Sequence, residues 1–198
     1  MKIQRFSGLL ILFIIASFTL EGAPRLDFKP LCGGVGTDKA TFVFGMQFYG
    51  QTGRVIVSRT PDMTPPLHYS AGIEASEANA GIAKIQVTGL ADDTRYFYTV
   101  EVDGEIALET PQSFRTFPSG MASFRFTFGN SLRQLRPNQN GMLASLVEEP
   151  LFFLNTGDLH YGDIESRKPY YFRDAYINVF NTKVHQRTMA SVPLVFMF

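Results

Sequence analysis

The residues with the most chemistry to offer lie in the stretch LFFLNTGDLHYGD, residues 151–163. An apolar run ends in Gly157 and Asp158, and Tyr161 follows three positions later. An aspartate at the tip of a rigid strand has little freedom, and its two oxygens can bridge two cations. Tyr161 is near enough in sequence for its phenolate to join the same ion. A phenolate is a hard anionic ligand that suits trivalent iron better than zinc. Gly157 and Gly162 allow a sharp turn and close backbone approach. The same residues also read as a strand running into a polar turn, with Asp158 starting the next helix.

The elements around this stretch decide where such a site would sit. FRFTFGNS (124–131) reads as a strand, and NQNGMLASLVEE (138–149) as a helix with Leu143, Leu146 and Val147 on one side. PLFFLNTGD (150–158) is a nearly continuous apolar strand, as expected for burial on both faces. KPYYFRDAYINVFNTKV (168–184) reads as one longer helix with Tyr171, Phe172, Ala175, Ile177 and Val179 favouring one side. VPLVFMF (192–198) is a third buried strand, with an open edge expected beyond it. The order β-α-β-α-β predicts parallel strands with right-handed crossovers. Ligands bind beyond the carboxyl ends of such strands. Asn130, Ser131, Asp158 and Tyr161 are therefore expected to converge at one sheet edge. Asp163 and His185 read as a solvated turn residue and a solvated helix residue.

Residues 39–117 carry a different period. Phe42, Phe44, Met46 and Phe48 alternate with smaller or polar residues, as do Val55 and Val57, Ile85 and Val87, and Tyr96, Tyr98, Val100 and Val102. A last strand lies near QSFRTF (112–117). Alternation over short runs separated by turn residues indicates antiparallel strands, and several together indicate a β-sandwich. GLADDTRYFY (89–98) places Leu90, Thr94 and Tyr96 just before a strand. This resembles the tyrosine corner of fibronectin III/Ig-like domains, in which a tyrosine hydroxyl bonds backbone at a sheet corner. PSGMAS (118–123) reads as a linker, so the expected organisation is a sandwich over 30–118 and an α/β unit over 124–198.

Lys2 and Arg5 precede an apolar run from Leu9 to Phe18, and the small residues Gly22 and Ala23 follow. That order matches a signal peptide over 1–23, with export to the periplasm, the cell surface or the medium. The run falls short of the roughly 20 apolar residues that span a bilayer, so no stable membrane span is expected. The mature chain is expected to begin between Gly22 and Asp27. N-terminal sequencing of protein from the producing cell checks this, and intact Met1 on soluble cytoplasmic protein would contradict it. Lys and Arg number 18, balanced by 18 Asp and Glu, so nothing electrostatic points to nucleic acid or an anionic membrane. The single Cys32 has no intrachain partner for a disulfide and reads as a small buried hydrophobe.

FTFGNSLR, PLFFLNTGDLHYGD and the closing VPLVFMF together resemble the calcineurin-like metallophosphoesterases, in particular the PhoD-like alkaline phosphatases. The order of a small sandwich followed by this β-α-β start is also similar to that family, and the resemblance spans most of residues 30–198. It implies an exported enzyme that hydrolyses phosphate mono- and diesters of small molecules at a two-metal centre. The ions would be divalent or trivalent, with iron, calcium, manganese and zinc not distinguished. By resemblance Asp158 is the bridging carboxylate and Tyr161 ligates the harder, trivalent ion. Ser131 stands where the family usually has a ligating cysteine, and a neutral serine is the poorer ligand. Asn130, Arg133 and His160 are implied as substrate contacts. The Asp-Asp-His-Asp segment that follows the third strand in the family is not among these residues. The α/β unit is therefore expected to be an incomplete metallophosphoesterase domain, inactive by itself. The alternative is a non-catalytic secreted binding module built on the sandwich.

Overall fold

Alternating large apolar residues build the first layer pair. The computed structural model of the chain describes residues 26–130 and 140–197; the signal-peptide stretch, Ser131 and Arg133 lie outside them. Nine strands come first: β1 (Leu26–Gly33), β2 (Lys39–Met46), β3 (Thr52–Ser58), β4 (His68–Tyr69), β5 (Ile73–Glu74), β6 (Ile82–Thr88), β7 (Arg95–Val102), β8 (Glu105–Ile106) and β9 (Gln112–Arg115). Strands β1, β2 and β6 are antiparallel neighbours in one sheet, and β3 and β7 carry β4, β5, β8 and β9 in the other. Their inner faces meet in one core of Phe42, Phe44, Met46, Val55, Val57, Ile85, Val87, Tyr96, Tyr98, Val100, Val102 and Phe114. Phe42 is the hub, with its ring centroid 4.6 Å from Tyr98 and 5.5 Å from Phe114. Phe48 lies beyond the end of β2 and is exposed, because the pleat stops at Met46. Cys32 is buried in this core, and loss of hydration pushes its thiol well above the usual range.

The tyrosine corner is present. Tyr96 is fully buried, and its hydroxyl accepts a 2.8 Å hydrogen bond from the Ala91 backbone N–H. Thr116 closes the same corner, accepting from Thr94 N–H at 2.9 Å and donating to the Ala91 carbonyl at 2.6 Å.

The second half runs β10 (Thr127–Gly129), α1 (Asn140–Ser145) with a 3-10 turn at Leu146–Glu148, β11 (Phe153–Asn155), α2 (Pro169–Phe180), α3 (Lys183–Met189) and β12 (Leu194–Phe196). Strands β10, β11 and β12 are parallel neighbours in that order. Strand β12 does not form an open edge. It pairs parallel with β1, so one sheet of order β10-β11-β12-β1-β2-β6 runs from the α/β half into the sandwich. Gly33 meets Leu194 at this seam, where a Cβ would lie 2.8 Å from the Leu194 carbonyl oxygen. Only glycine allows so close an approach. The Asp27 carboxylate pairs with Arg173 of α2, and Asn181 Nδ2 donates to the Asp27 carbonyl at 3.1 Å, which ties β1 to the helices as well.

Several expectations change here. The single helix over 168–184 is two helices, because Asn181 caps α2 and the Thr182 side chain caps α3 by accepting from His185 N–H. The strand over 124–131 shrinks to three residues at the sheet edge, where Phe124, Phe126 and Phe128 are exposed and Phe126 stacks on Phe152 at 5.2 Å. Val147, Tyr171 and Phe172 face solvent, while Met142, Val179 and Phe180 take the buried positions. Strand β11 alternates, with Phe153 and Asn155 buried and Leu154 half-buried.

His185 is not solvated. It is buried, its Nδ1 meets Thr182 Oγ1, and its Nε2 has no partner among the described residues. Burial lowers its pKa from 6.5 to about 4. The unfolded chain then binds a proton that the folded chain refuses. Stability is full above pH 6.5 and falls as pH drops toward 4. The expected loss is about 2 kcal/mol between those limits, after a discount for partial hydration. Urea midpoints across that window check it; a slope that persists unchanged in His185→Gln would contradict the assignment.

Candidate functional site

Parallel pairing lines up three strand ends. Gly129 is the register partner of Asn155, and Asn155 of Phe196, so Asn130, Thr156 and Met197 leave the sheet side by side. Thr156 N–H donates to the Gly129 carbonyl at 2.9 Å, and Met197 N–H to the Asn155 carbonyl at 2.9 Å, which extends the ladder one step past the strands. After β11 the chain turns sharply. Gly157 has φ +121° and Asp158 has φ 51°, a left-handed pair. Glycine takes that region freely, and aspartate is among the few other residues that visit it.

The turn puts the Asp158 carboxylate at the strand tip, exposed. Tyr161 is half-exposed, and its hydroxyl lies 3.4 Å from Asp158 Oδ2 as a donor. The spacing of three residues thus brings these two oxygens together. Asn130 is exposed at the same edge, one residue past β10. His160 is turned the other way. Its ring packs edge-to-face on Tyr176 of α2 with centroids 4.8 Å apart, and its Nδ1 accepts from Gly162 N–H at 3.3 Å. Asp163 is exposed, with φ 42°. Ser131 and Arg133 continue from Asn130 outside the described residues.

One polar residue at this edge escaped the sequence reading. Asn155 closes β11 and is buried; its Oδ1 accepts from Gly157 N–H at 3.2 Å, and its Nδ2 has no partner among the described residues. A carboxamide ending an apolar run marks a turn in the sequence, but not that the side chain is buried. Its amide holds the turn that carries Asp158.

Asp158 and Tyr161 supply a carboxylate and a phenol at 3.4 Å, two hard oxygen donors that fit one hard cation. Among the described residues no group of three or more His, Cys, Asp and Glu side chains could hold a metal ion. The described donors therefore fit part of a metal shell and do not by themselves complete one. Among the described residues no helix is long and apolar enough to cross a membrane.

No protein-family profile matches the chain, and no curated protein does. Among solved structures it is similar to PhoD, with a TM-score of 0.76 at 12% identity over 89% of this chain and 39% of that one. At this identity the likeness shows the fold alone, and the fold is PhoD-like. The chain spans about two fifths of the length of the PhoD structure it matches. Weaker matches cover half of the chain: a fibronectin type III domain derived from human KIAA0970 protein (TM-score 0.39, 9% identity, 51% of this chain, 79% of that one) and the sensor domain of the anti-sigma factor RsgI4 in Pseudobacteroides cellulosolvens (TM-score 0.37, 13% identity, 50% and 98%). The sandwich stands on its own strand pairing and not on these two.

Proposed function

We propose that these 198 residues are part of an exported PhoD-like phosphatase that hydrolyses phosphate mono- and diesters, with Asp158 and Tyr161 among its metal ligands. The observation that carries this is the meeting of the Asp158 carboxylate and the Tyr161 hydroxyl at the carboxyl edge of parallel strands, in a fold that matches PhoD over 89% of the chain. Bound there, a pair of divalent or trivalent ions would polarise the phosphoryl oxygens and acidify a water.

The chain's own residues would contribute position and charge. Asp158 is held by the left-handed turn and presents both oxygens past the sheet. Tyr161 offers its oxygen from the same loop. Ser131 is the further ligand in this reading, and Asn130 and Arg133 face the substrate. His160, packed on Tyr176, would reach substrate only by leaving that ring. A signal peptide over 1–23 would direct export.

Among the described residues, one carboxylate and one phenol would leave most of each ion's shell to water. The 198 residues alone are therefore expected to turn over no phosphate ester at an enzymatic rate. The assay is purified protein with added iron, calcium, manganese or zinc, on an aryl phosphate monoester and a diester. Metal-dependent turnover that vanishes in Asp158→Asn would show that this partial site suffices. Turnover that persists in that variant would place hydrolysis elsewhere and overturn the proposal.

A further inference from the structure

A large apolar cleft lies between the sandwich and helix α2, and neither Asp158 nor Tyr161 lines it. Its volume is about 950 Å³. Small-molecule sites run from roughly 300 to 1,000 Å³ and are mostly apolar. The floor is the outer face of the sandwich sheet. Phe42, Phe44, Ile85 and Val87 point into the sandwich core, so the residues that alternate with them point out. Leu31, Val43 and Lys84 are successive register partners on β1, β2 and β6, and they form one row across that face. Helix α2 forms the roof with Tyr176, Ile177 and Phe180. Phe180 meets Phe196 of β12 edge-to-face at one wall, with centroids 6.5 Å apart. Leu31, Val43, Ile82, Tyr176 and Ile177 stay half-buried, so apolar surface remains between helix and sheet. Phe28 and Gly33 both line the cleft, and the β1 run between them is roughly 16 Å long at the rise of a strand. That length suits an extended alkyl chain better than a compact ring.

The charged groups set the sign of the head group. Among the described residues no aspartate or glutamate lines the cleft, and two cations do. Arg173 is paired with Asp27 and lies 3.6 Å from Asp174, so its charge is already met. Lys84 is exposed and makes no ion pair among the described residues. Its stem rises from the same face as Val43 and Ile82, on the edge strand β6, and long cationic side chains lay such stems on apolar surface with the ammonium outward. One unmet positive charge beside a long apolar floor complements a long chain that ends in a single negative charge.

We propose that this cleft binds a long-chain fatty acid as its carboxylate, with the alkyl chain between β1 and α2 and the carboxylate on Lys84. The inference goes beyond the hydrolase reading and does not depend on it.

The test is calorimetric titration of the full chain with dodecanoate below its micelle concentration. Dodecyltrimethylammonium carries the same chain with the opposite charge, and acetate carries the head group alone. Saturable dodecanoate binding is expected, weakened on the order of tenfold in Lys84→Gln, lost in Val43→Asp and left within about twofold by Asp158→Asn. The cationic amphiphile is expected to bind more weakly, and acetate not to saturate. No saturable response to dodecanoate would overturn the proposal. So would equal binding of the cationic amphiphile, an unchanged affinity in Lys84→Gln, or saturation by acetate. Sedimentation of the ligand-free chain tests the competing occupant: a dimer that Ile177→Lys dissociates would assign the cleft to a second copy and overturn the proposal as well.

Discussion

Gly33→Ala is expected to lower the unfolding free energy by about 2–3 kcal/mol, although it adds a single methyl group. The added Cβ would lie 2.8 Å from the Leu194 carbonyl oxygen, and the atom it meets is backbone on the neighbouring strand. A flexible side chain could swing away; a strand fixed by its own pairing to β11 cannot. Relief therefore requires β1 and β12 to part at their one register pair. The damage should fall on the α/β half, since the Phe42–Tyr98–Phe114 cluster lies on the other side of β1 and β2. Urea denaturation gives the magnitude. Limited proteolysis gives the location, with faster cutting after Ser123 and a persistent sandwich. A variant as stable as the parent, with unchanged proteolysis, would show that the seam is looser than the geometry states.

Phe42→Ala should cost more, about 4 kcal/mol, the range for emptying an aromatic site in a core. Phe42 is fully buried and touches rings from the opposite sheet, so neither sheet can close over the void without moving Tyr98 or Phe114. Tyr98 is further pinned, because its hydroxyl donates to Gln112 Oε1 at 2.6 Å inside the core. The check is the change in urea midpoint with an unchanged slope. A loss below about 1.5 kcal/mol, the cost of a well-tolerated hydrophobic swap, would mean that the sandwich repacks and that Phe42 is not its hub.

The same two positions show what the sequence revealed. Phe42 sits in a period-two run, and period two is a direct consequence of the pleat, so the sandwich and its inner face were legible. Tyr96 was legible too, through the local pattern ahead of its strand. Strand β1 was not. Its pairing with β2 shifts register between Leu26 and Leu31, and its other partner, β12, lies at the far end of the chain. No local pattern carries a parallel pairing of that kind, which is why β12 read as an open edge.

The closeness of Asp158 and Tyr161 was legible, because a spacing of three residues leaves few ways to separate them; their role as ligands is the proposal. Asn155 was not, since nothing in LFFLN says that the last side chain is buried and bonded to the following turn. His185 was misread for a related reason. Lys183 and Arg187 flank it and suggest solvent, while Thr188 and Met189 are the residues that share its buried face. The break at Thr182 was available, because threonine is among the residues preferred at a helix N-cap and asparagine precedes it.

The assignment of Asp158 and Tyr161 as metal ligands is tested most directly by ferric titration of the purified chain, read as visible absorption. A phenolate bound to trivalent iron gives a charge-transfer band that neither free phenol nor free iron gives. The account predicts such a band, lost in Tyr161→Phe and weakened in Asp158→Asn, with Tyr49→Phe as an exposed-tyrosine control that leaves it intact. A band that survives Tyr161→Phe, or no band at any ferric concentration that keeps the protein folded, would contradict it.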